Sequence, residues 1–220
     1  TAFAELKKYR LEDYRIELVN VGGTSFYPFM HLFNSSKDEK AITKPISILT
    51  DNDKYPKSKS KDYKFDKLIA DGYKVLNVLD NEIQSAAPNS RVANLKSVAN
   101  SRDHIKVFDA EKTLEYELAL ANIPEERADL QNNFLFKYIK KIDDDKASSI
   151  LEYLETVKDE DWDESYRRKT AILLWKTFTS KGAFAQNFSL YLLKNIKRAR
   201  KEFKVPKYIR KGLKHLRQGV

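Results

Sequence analysis

Asp51 and Asp53 stand one residue apart, directly after the apolar run Ile46-Ser-Ile-Leu49. Two carboxylates at the end of a strand meet in one small volume only if the strand geometry breaks between them. Hard oxygen donors at that spacing suit Mg²⁺ or Mn²⁺, which keep several waters and bridge to phosphate oxygens. The same Asp-Asn-Asp also reads as a plain turn, because Asp and Asn bond to their own backbone there.

A second acidic group, Asp109, Glu111, Glu115 and Glu117, follows the next apolar run. On a helix that begins near Glu111, Glu111 and Glu115 share a face at i,i+4, and Glu117 points elsewhere. Acids at a helix start also simply complement the helix dipole. Lys181 sits beside Gly182 in a predicted break between helices, where its ammonium can reach into a cleft, although a lone lysine is more often only a surface group. His31, His104 and His215 have no metal-ligand spacing and read as structural. No Walker A loop, dinucleotide-binding glycine pattern or Gly-x-Ser-x-Gly elbow is present.

The elements that must position these groups follow from periodicity. Residues 15–21, 45–50 and 104–108 read as buried strands, ending in Gly22-Gly23, Asp51-Asn52-Asp53 and Asp109. Residues 73–79 fit a strand or a helix. Phe26, Phe29, Met30 and Phe33 recur at helical spacing across 25–34. Alternating strands and helices predict an α/β fold with a mostly parallel sheet flanked by helices, whose functional groups gather beyond the carboxyl ends of the strands. After Glu111 the pattern is helical. Helices are predicted over 112–122, from Pro124 onward, and over 130–142, 146–157, 162–178 and 183–201, with a last one after Val205-Pro206. Residues 54–64 read as a basic, polar loop.

The totals narrow the partners. A chain of 220 residues with 41% hydrophobic and 12% aromatic content can bury a core. With no cysteine, disulfides and cysteine-held zinc are excluded. No apolar run approaches the ~20 residues of a membrane helix. The first residues, Thr1 onward, read as the middle of an amphipathic helix, so the chain is expected to be a piece of a longer one. The net charge of +9 is concentrated at one end: residues 194–217 hold eleven Lys and Arg against one acid, Glu202, and the rest nearly balances at 30 basic against 31 acidic. Lys194, Lys197, Arg198, Arg200, Lys201, Lys204, Lys207, Arg210 and Lys211 are therefore candidate phosphate contacts, since Lys and Arg bind polyanions by releasing counterions. A solvated helix face is the plain alternative, and a membrane surface a weaker one.

Four short motifs in order resemble one family. Val-Asn-Val-Gly-Gly (19–23), Ile-Leu-Thr-Asp-Asn-Asp (48–53), Thr-Leu-Glu-Tyr-Glu-Leu-Ala (113–119) and Ser-Lys-Gly-Ala-Phe-Ala (180–185) resemble the Toprim half of OLD (overcoming lysogenization defect) family nucleases, including the Gabija anti-phage nuclease subunit. The resemblance runs from about Leu11 to the final helix. It implies a Toprim core over 1–122, a helical insertion over 123–178 and a return over 179–220. It also implies two Mg²⁺ or Mn²⁺ ions held by Asp51, Asp53 and Glu115, with Asp109 and Glu111 as further candidates, and Lys181 stabilising the charged transition state of DNA cleavage.

The same resemblance implies an ATPase domain upstream in the same polypeptide, homo-oligomers, a helicase partner for a Gabija-like protein, and a bacterial cytoplasmic location. Toprim domains also carry a glutamate in a Glu-Gly-x-x-Glu type motif after their first strand. No residue of this sequence matches it, Glu5 included, so the 220 residues alone are expected to cut DNA little or not at all. A non-catalytic nucleic-acid-binding or scaffold module would need the basic C-terminus but not the acids. A topoisomerase would need a nucleophilic tyrosine, and none of the twelve tyrosines stands in a context that marks it.

Overall fold

The computed structural model describes residues 1–8, 10–23, 25–34, 42–53, 61–99, 102–178 and 180–218. Residues 54–60, most of the expected basic loop, lie outside them. The fold is mostly helical α/β. Its sheet, among the described residues, is one parallel pair: β1 (Ile46–Thr50) and β2 (Ile105–Asp109), in register from Ile46 opposite Ile105 to Thr50 opposite Asp109. Alternation along the strands sorts their side chains to two faces. Ile48 and Ile105, with Ile46 and Val107 beside them, join Met30, Leu95 and Ala99 in one apolar cluster. That face is covered by the segment around α2 (Tyr27–Met30) and by α5 (Ser90–Ala99).

The opposite face carries Ser47, Leu49 and Phe108 and is covered by α12 (Lys207–Gln218). The seat is Gly212. A Cβ there would lie 2.8 Å from Leu49 Cδ2 and 3.4 Å from Phe108 Cδ2, so only a bare backbone approaches this closely. The Ser47 hydroxyl donates to the Gly212 carbonyl at 2.8 Å. His215 Nε2 meets the His104 carbonyl at 3.2 Å, and His104 Nε2 meets the Phe33 carbonyl at 3.1 Å. Two of the three histidines thus tie neighbouring segments together.

Beside the sheet lies the larger core. It unites Leu6 of α1 (Ala2–Leu6), Phe65 and Leu68 of α3 (Phe65–Ala70), α4 (Lys74–Ser85), α6 (Leu114–Ala121), α7 (Phe134–Ile142), α8 (Asp144–Glu155), α9 (Glu164–Lys176) and α10 (Lys181–Lys194) with Phe203, Val205 and Ile209. Side-chain caps start four of these helices. Thr113 Oγ1 accepts from Tyr116, Asn133 Oδ1 from Leu135 and Phe136, Asp143 Oδ1 from Lys146, and Asp163 Oδ1 from Tyr166. Buried Asp80 on α4 takes Arg168 of α9 through both oxygens, at 2.8 and 3.0 Å. Asn122 bonds both to the Leu118 carbonyl and to the Lys204 backbone, pinning the end of α6 to the chain before α12.

Several expectations are corrected. Residues 15–21 form no strand: a 3₁₀ turn over Glu12–Tyr14 ends in left-handed Arg15 (φ 52°), which breaks the extended run, and Leu18 and Val19 stay 62% and 69% exposed. Of the two forms that residues 73–79 fit, the helix is the one found, with 74–79 part of α4, because Leu76, Leu79 and Ile83 then share one buried face. Pro124 does not start a helix; a 3₁₀ turn over Arg127–Asn132 leads into α7. The helix expected over 183–201 is two, α10 and α11 (Ile196–Glu202), split at Asn195, whose side chain donates to the Tyr191 carbonyl at 2.8 Å and competes with the helical ladder. No helix among the described residues is long and apolar enough to cross a membrane.

Candidate metal and phosphate site

The chain leaves β1 at Thr50, whose carbonyl still accepts from Ala110 at 2.9 Å. The strand geometry then breaks. The amides of Asn52 and Asp53 both donate to the Lys112 carbonyl, at 3.1 and 3.0 Å, and Asp53 takes the left-handed conformation (φ 48°) that Asp tolerates better than most residues. Asn52 turns inward: its amide group donates to Asp109 at 2.9 Å and its oxygen accepts from the Asn89 backbone at 2.7 Å. The central residue is therefore the structural one, and the flanking acids face outward from the turn.

Asp51 reaches the start of α6, where its Oδ1 accepts from the Leu114 amide at 3.0 Å. The next residue, Glu115, is 8% exposed, and its Oε2 has no hydrogen-bond partner. Lys181 Nζ lies 3.5 Å from that oxygen, an ion pair without a hydrogen bond. Burial, followed by the charges of Glu115 and Asp53, raises the Asp51 pKa against the opposing pull of Lys181 and the Leu114 amide. Asp51, Glu115 and Lys181 are thus brought together from β1, α6 and α10. Lys181 stands at the first position of α10 rather than in a break before it.

Asp53 is turned toward Lys112, whose ammonium is 3.5 Å from Asp53 Oδ1. Asp109 is engaged elsewhere, by Lys96 at 2.5 Å and by Asn52. Glu111 precedes α6 instead of sharing a helical face with Glu115, because Thr113 takes the cap and starts the helix at Leu114. Its amide donates to Glu117 Oε1 at 2.7 Å, and Glu117 is held inward with its pKa raised, chiefly by burial. Sequence reasoning missed three neighbours. Lys112 is buried; its one local signal is its place just before the Thr113 cap. Lys176 has its pKa pushed down to about 7 by burial and by the charges of Lys112 and Lys181. Tyr208 at the start of α12 resists ionisation through burial and the charges of Asp51, Glu117 and Glu115. No sequence spacing marks the latter two.

The donor chemistry suits a divalent cation: hard carboxylate oxygens, one of them buried without a hydrogen bond, at a helix start where negative charge accumulates. The set is nonetheless not gathered into a cage. Among the described residues no group of three or more His, Asp or Glu side chains is placed to hold a metal ion. The pair Asp51 and Glu115 fits, and Asp53 is held aside by Lys112.

The basic candidates divide by element, and all are exposed. Lys194 ends α10, Lys197, Arg198, Arg200 and Lys201 lie on α11, Lys204 lies in the following link, and Lys207, Arg210 and Lys211 lie on α12. On α11, Arg198 pairs with Glu202 at 2.7 Å and Arg200 donates to the Glu5 carbonyl at 2.9 Å. With Gly212 against the sheet, α12 presents Lys207, Arg210, Lys211 and Lys214 to solvent.

The fold and the site together define a mostly helical α/β domain with a small parallel sheet and an acidic strand end. Residues 1–53, which end on Asp51-Asn52-Asp53, match the family model for the overcoming lysogenization defect protein-like TOPRIM domain. The match supports an OLD-type Toprim for that stretch and suggests a nucleic-acid-related function; it does not single out the Gabija subunit. No curated protein and no solved structure matches the chain.

Proposed function

We propose that this chain is the Toprim part of a metal-dependent DNA endonuclease. The observation that carries the reading is the convergence of Asp51, Glu115 and Lys181, with a buried Glu115 oxygen that lacks a hydrogen bond. Asp51 and Glu115, joined by Asp53, would hold Mg²⁺ or Mn²⁺. When bound, a metal pair supplies Lewis acidity at the attacking and leaving oxygens of an in-line displacement. Lys181, 61% exposed and opening α10, is free to pivot from Glu115 toward a phosphate oxygen and to meet charge as it develops. The α12 surface supplies sequence-independent contacts to the DNA backbone. In this reading, which the motif resemblance supports, the chain works beside an upstream ATPase domain in a homo-oligomeric, cytoplasmic anti-phage nuclease.

The test is calorimetric titration of Mn²⁺ into this chain, beside plasmid cleavage by a polypeptide extended to include the Toprim glutamate. Saturable Mn²⁺ binding lost in Asp51→Asn and Glu115→Gln, with cleavage lost in parallel, is expected. Cleavage or binding indifferent to both substitutions would remove the assignment. The exposed basic face of α12 favours a second reading, a nucleic-acid-binding module without catalysis, which predicts DNA binding untouched by any of the acids.

A further inference from the structure

We propose that Lys112 is the built-in counter-cation of Asp53, and that a divalent metal engages Asp53 only by displacing this ammonium. The inference rests on the metal-site reading above and adds a residue to it. Lys112 is anchored at both ends. Its carbonyl accepts both turn amides, Asn52 and Asp53, and its side chain, 3% exposed, runs inward to place Nζ 3.5 Å from Asp53 Oδ1. A buried ammonium cannot retreat to water, so it holds to carboxylate charge. Asp53, by contrast, is 39% exposed on a left-handed turn residue and is the partner with room to turn away into solvent.

The arrangement accounts for an otherwise awkward feature of the site. Asp51 feels the charge of Glu115, which pairs with Lys181, whereas Asp53 faces Lys112, and among the described residues the three acids form no cage. Each outer acid has its own cation: Glu115 has Lys181 and Asp53 has Lys112. The two lysines differ in one decisive respect. Lys181 is exposed and can swing into solvent, but Lys112 is enclosed and its amine stays beside the site. Lys112 is therefore a positioning residue with a penalty attached. It fixes the turn that presents Asp51 and Asp53, and it lowers affinity for any second cation, which sets a threshold metal concentration for occupancy.

Removing this polar contact should therefore tighten metal binding rather than weaken it. Mn²⁺ titrated calorimetrically into the 220-residue chain should bind Lys112→Met about tenfold more tightly than the wild type, since a fixed like charge a few ångströms away is removed. Lys112→Arg, which keeps the charge, should retain wild-type affinity. Circular dichroism establishes that each variant is folded. Equal or weaker Mn²⁺ binding by folded Lys112→Met overturns the proposal while leaving the metal site standing. Absence of Mn²⁺ binding in every variant, wild type included, overturns both. Should Lys112→Met fail to fold, the side-chain amine resonance of Lys112 in the wild type decides. Displacement by Mg²⁺ shifts it, and saturation with Mg²⁺ without a shift overturns the proposal.

Discussion

The Lys181 ammonium faces Glu115 Oε2 at 3.5 Å, an exposed cation against a nearly buried anion that makes no hydrogen bond. The pair spans two helices, α10 and α6, each packed through other residues: Phe184 and Phe188 of α10 lie against Tyr138 of α7, and Tyr116 of α6 lies against Trp175 of α9. The charges are therefore separable from the fold.

Lys181→Ala should consequently leave the melting temperature close to wild type. It should lower cleavage, measured in a polypeptide that includes the Toprim glutamate, by ~10²–10³. Lys181→Arg should not restore full activity, because a planar guanidinium delivers its charge differently from a compact ammonium. Mn²⁺ affinity should survive both changes. An unaltered cleavage rate in Lys181→Ala would remove this residue from the chemistry.

Asp51→Asn should stabilise the metal-free protein while abolishing metal binding. The Asp51 pKa is raised from its ordinary 3.8, mainly by burial and then by Glu115 and Asp53, so the folded chain resists its ionisation. A raised carboxyl pKa means that stability falls as pH climbs from the unfolded value through the folded one. Asparagine removes that loss and keeps an oxygen for the Leu114 amide. In EDTA at pH 7 the melting temperature should rise; ~2–4 °C corresponds to about 1 kcal/mol in a chain of this length. The gain should vanish as pH drops to 3.8 and below. A lower melting temperature at pH 7 would show that the carboxylate supports the turn instead.

Lys176→Met should show the opposite profile along the pH axis. Burial and the Lys112 and Lys181 charges push the Lys176 pKa from 10.5 to about 7. Between about 7 and 10.5 the unfolded chain holds a proton that the folded chain has released, so this group favours folding more as pH rises, and its full cost is felt below 7. Scanning calorimetry should find the largest stabilisation by Lys176→Met near pH 6 and a shrinking one toward pH 10. A gain independent of pH would mean that packing alone is responsible.

DNA affinity should depend on α12 more than on α11. Replacing Lys207, Arg210, Lys211 and Lys214 with glutamine should flatten the slope of log K against log salt by ~3.6. The same change at Lys197, Arg198, Arg200 and Lys201 should do less, because Arg198 and Arg200 are already bonded within the protein. Fluorescence anisotropy across a salt series measures both. Equal effects, or none from α12, would place the DNA elsewhere.

Local signals carried much of this protein. The β-branched runs at Ile46–Thr50 and Ile105–Asp109 read as strands because a half-buried pleat favours them, and the acids at the strand end were visible as candidates from type and spacing alone. Thr113, Asn133, Asp143 and Asp163 are capping residue types, and a cap is a contact over two or three residues that sequence contains in full. Other features depend on what lies across space. Residues 15–21 have strand composition, but a strand exists only where a partner accepts its hydrogen bonds, and these residues have none as a strand among those described. Lys112, Lys176 and Tyr208 read as ordinary residues until the closing of α6, α9 and α12 around one turn sets Lys112 and Tyr208 beside carboxylates and Lys176 beside the Lys112 and Lys181 charges. The meaning of a charge is set by its surroundings, and those surroundings are assembled from segments more than a hundred residues apart.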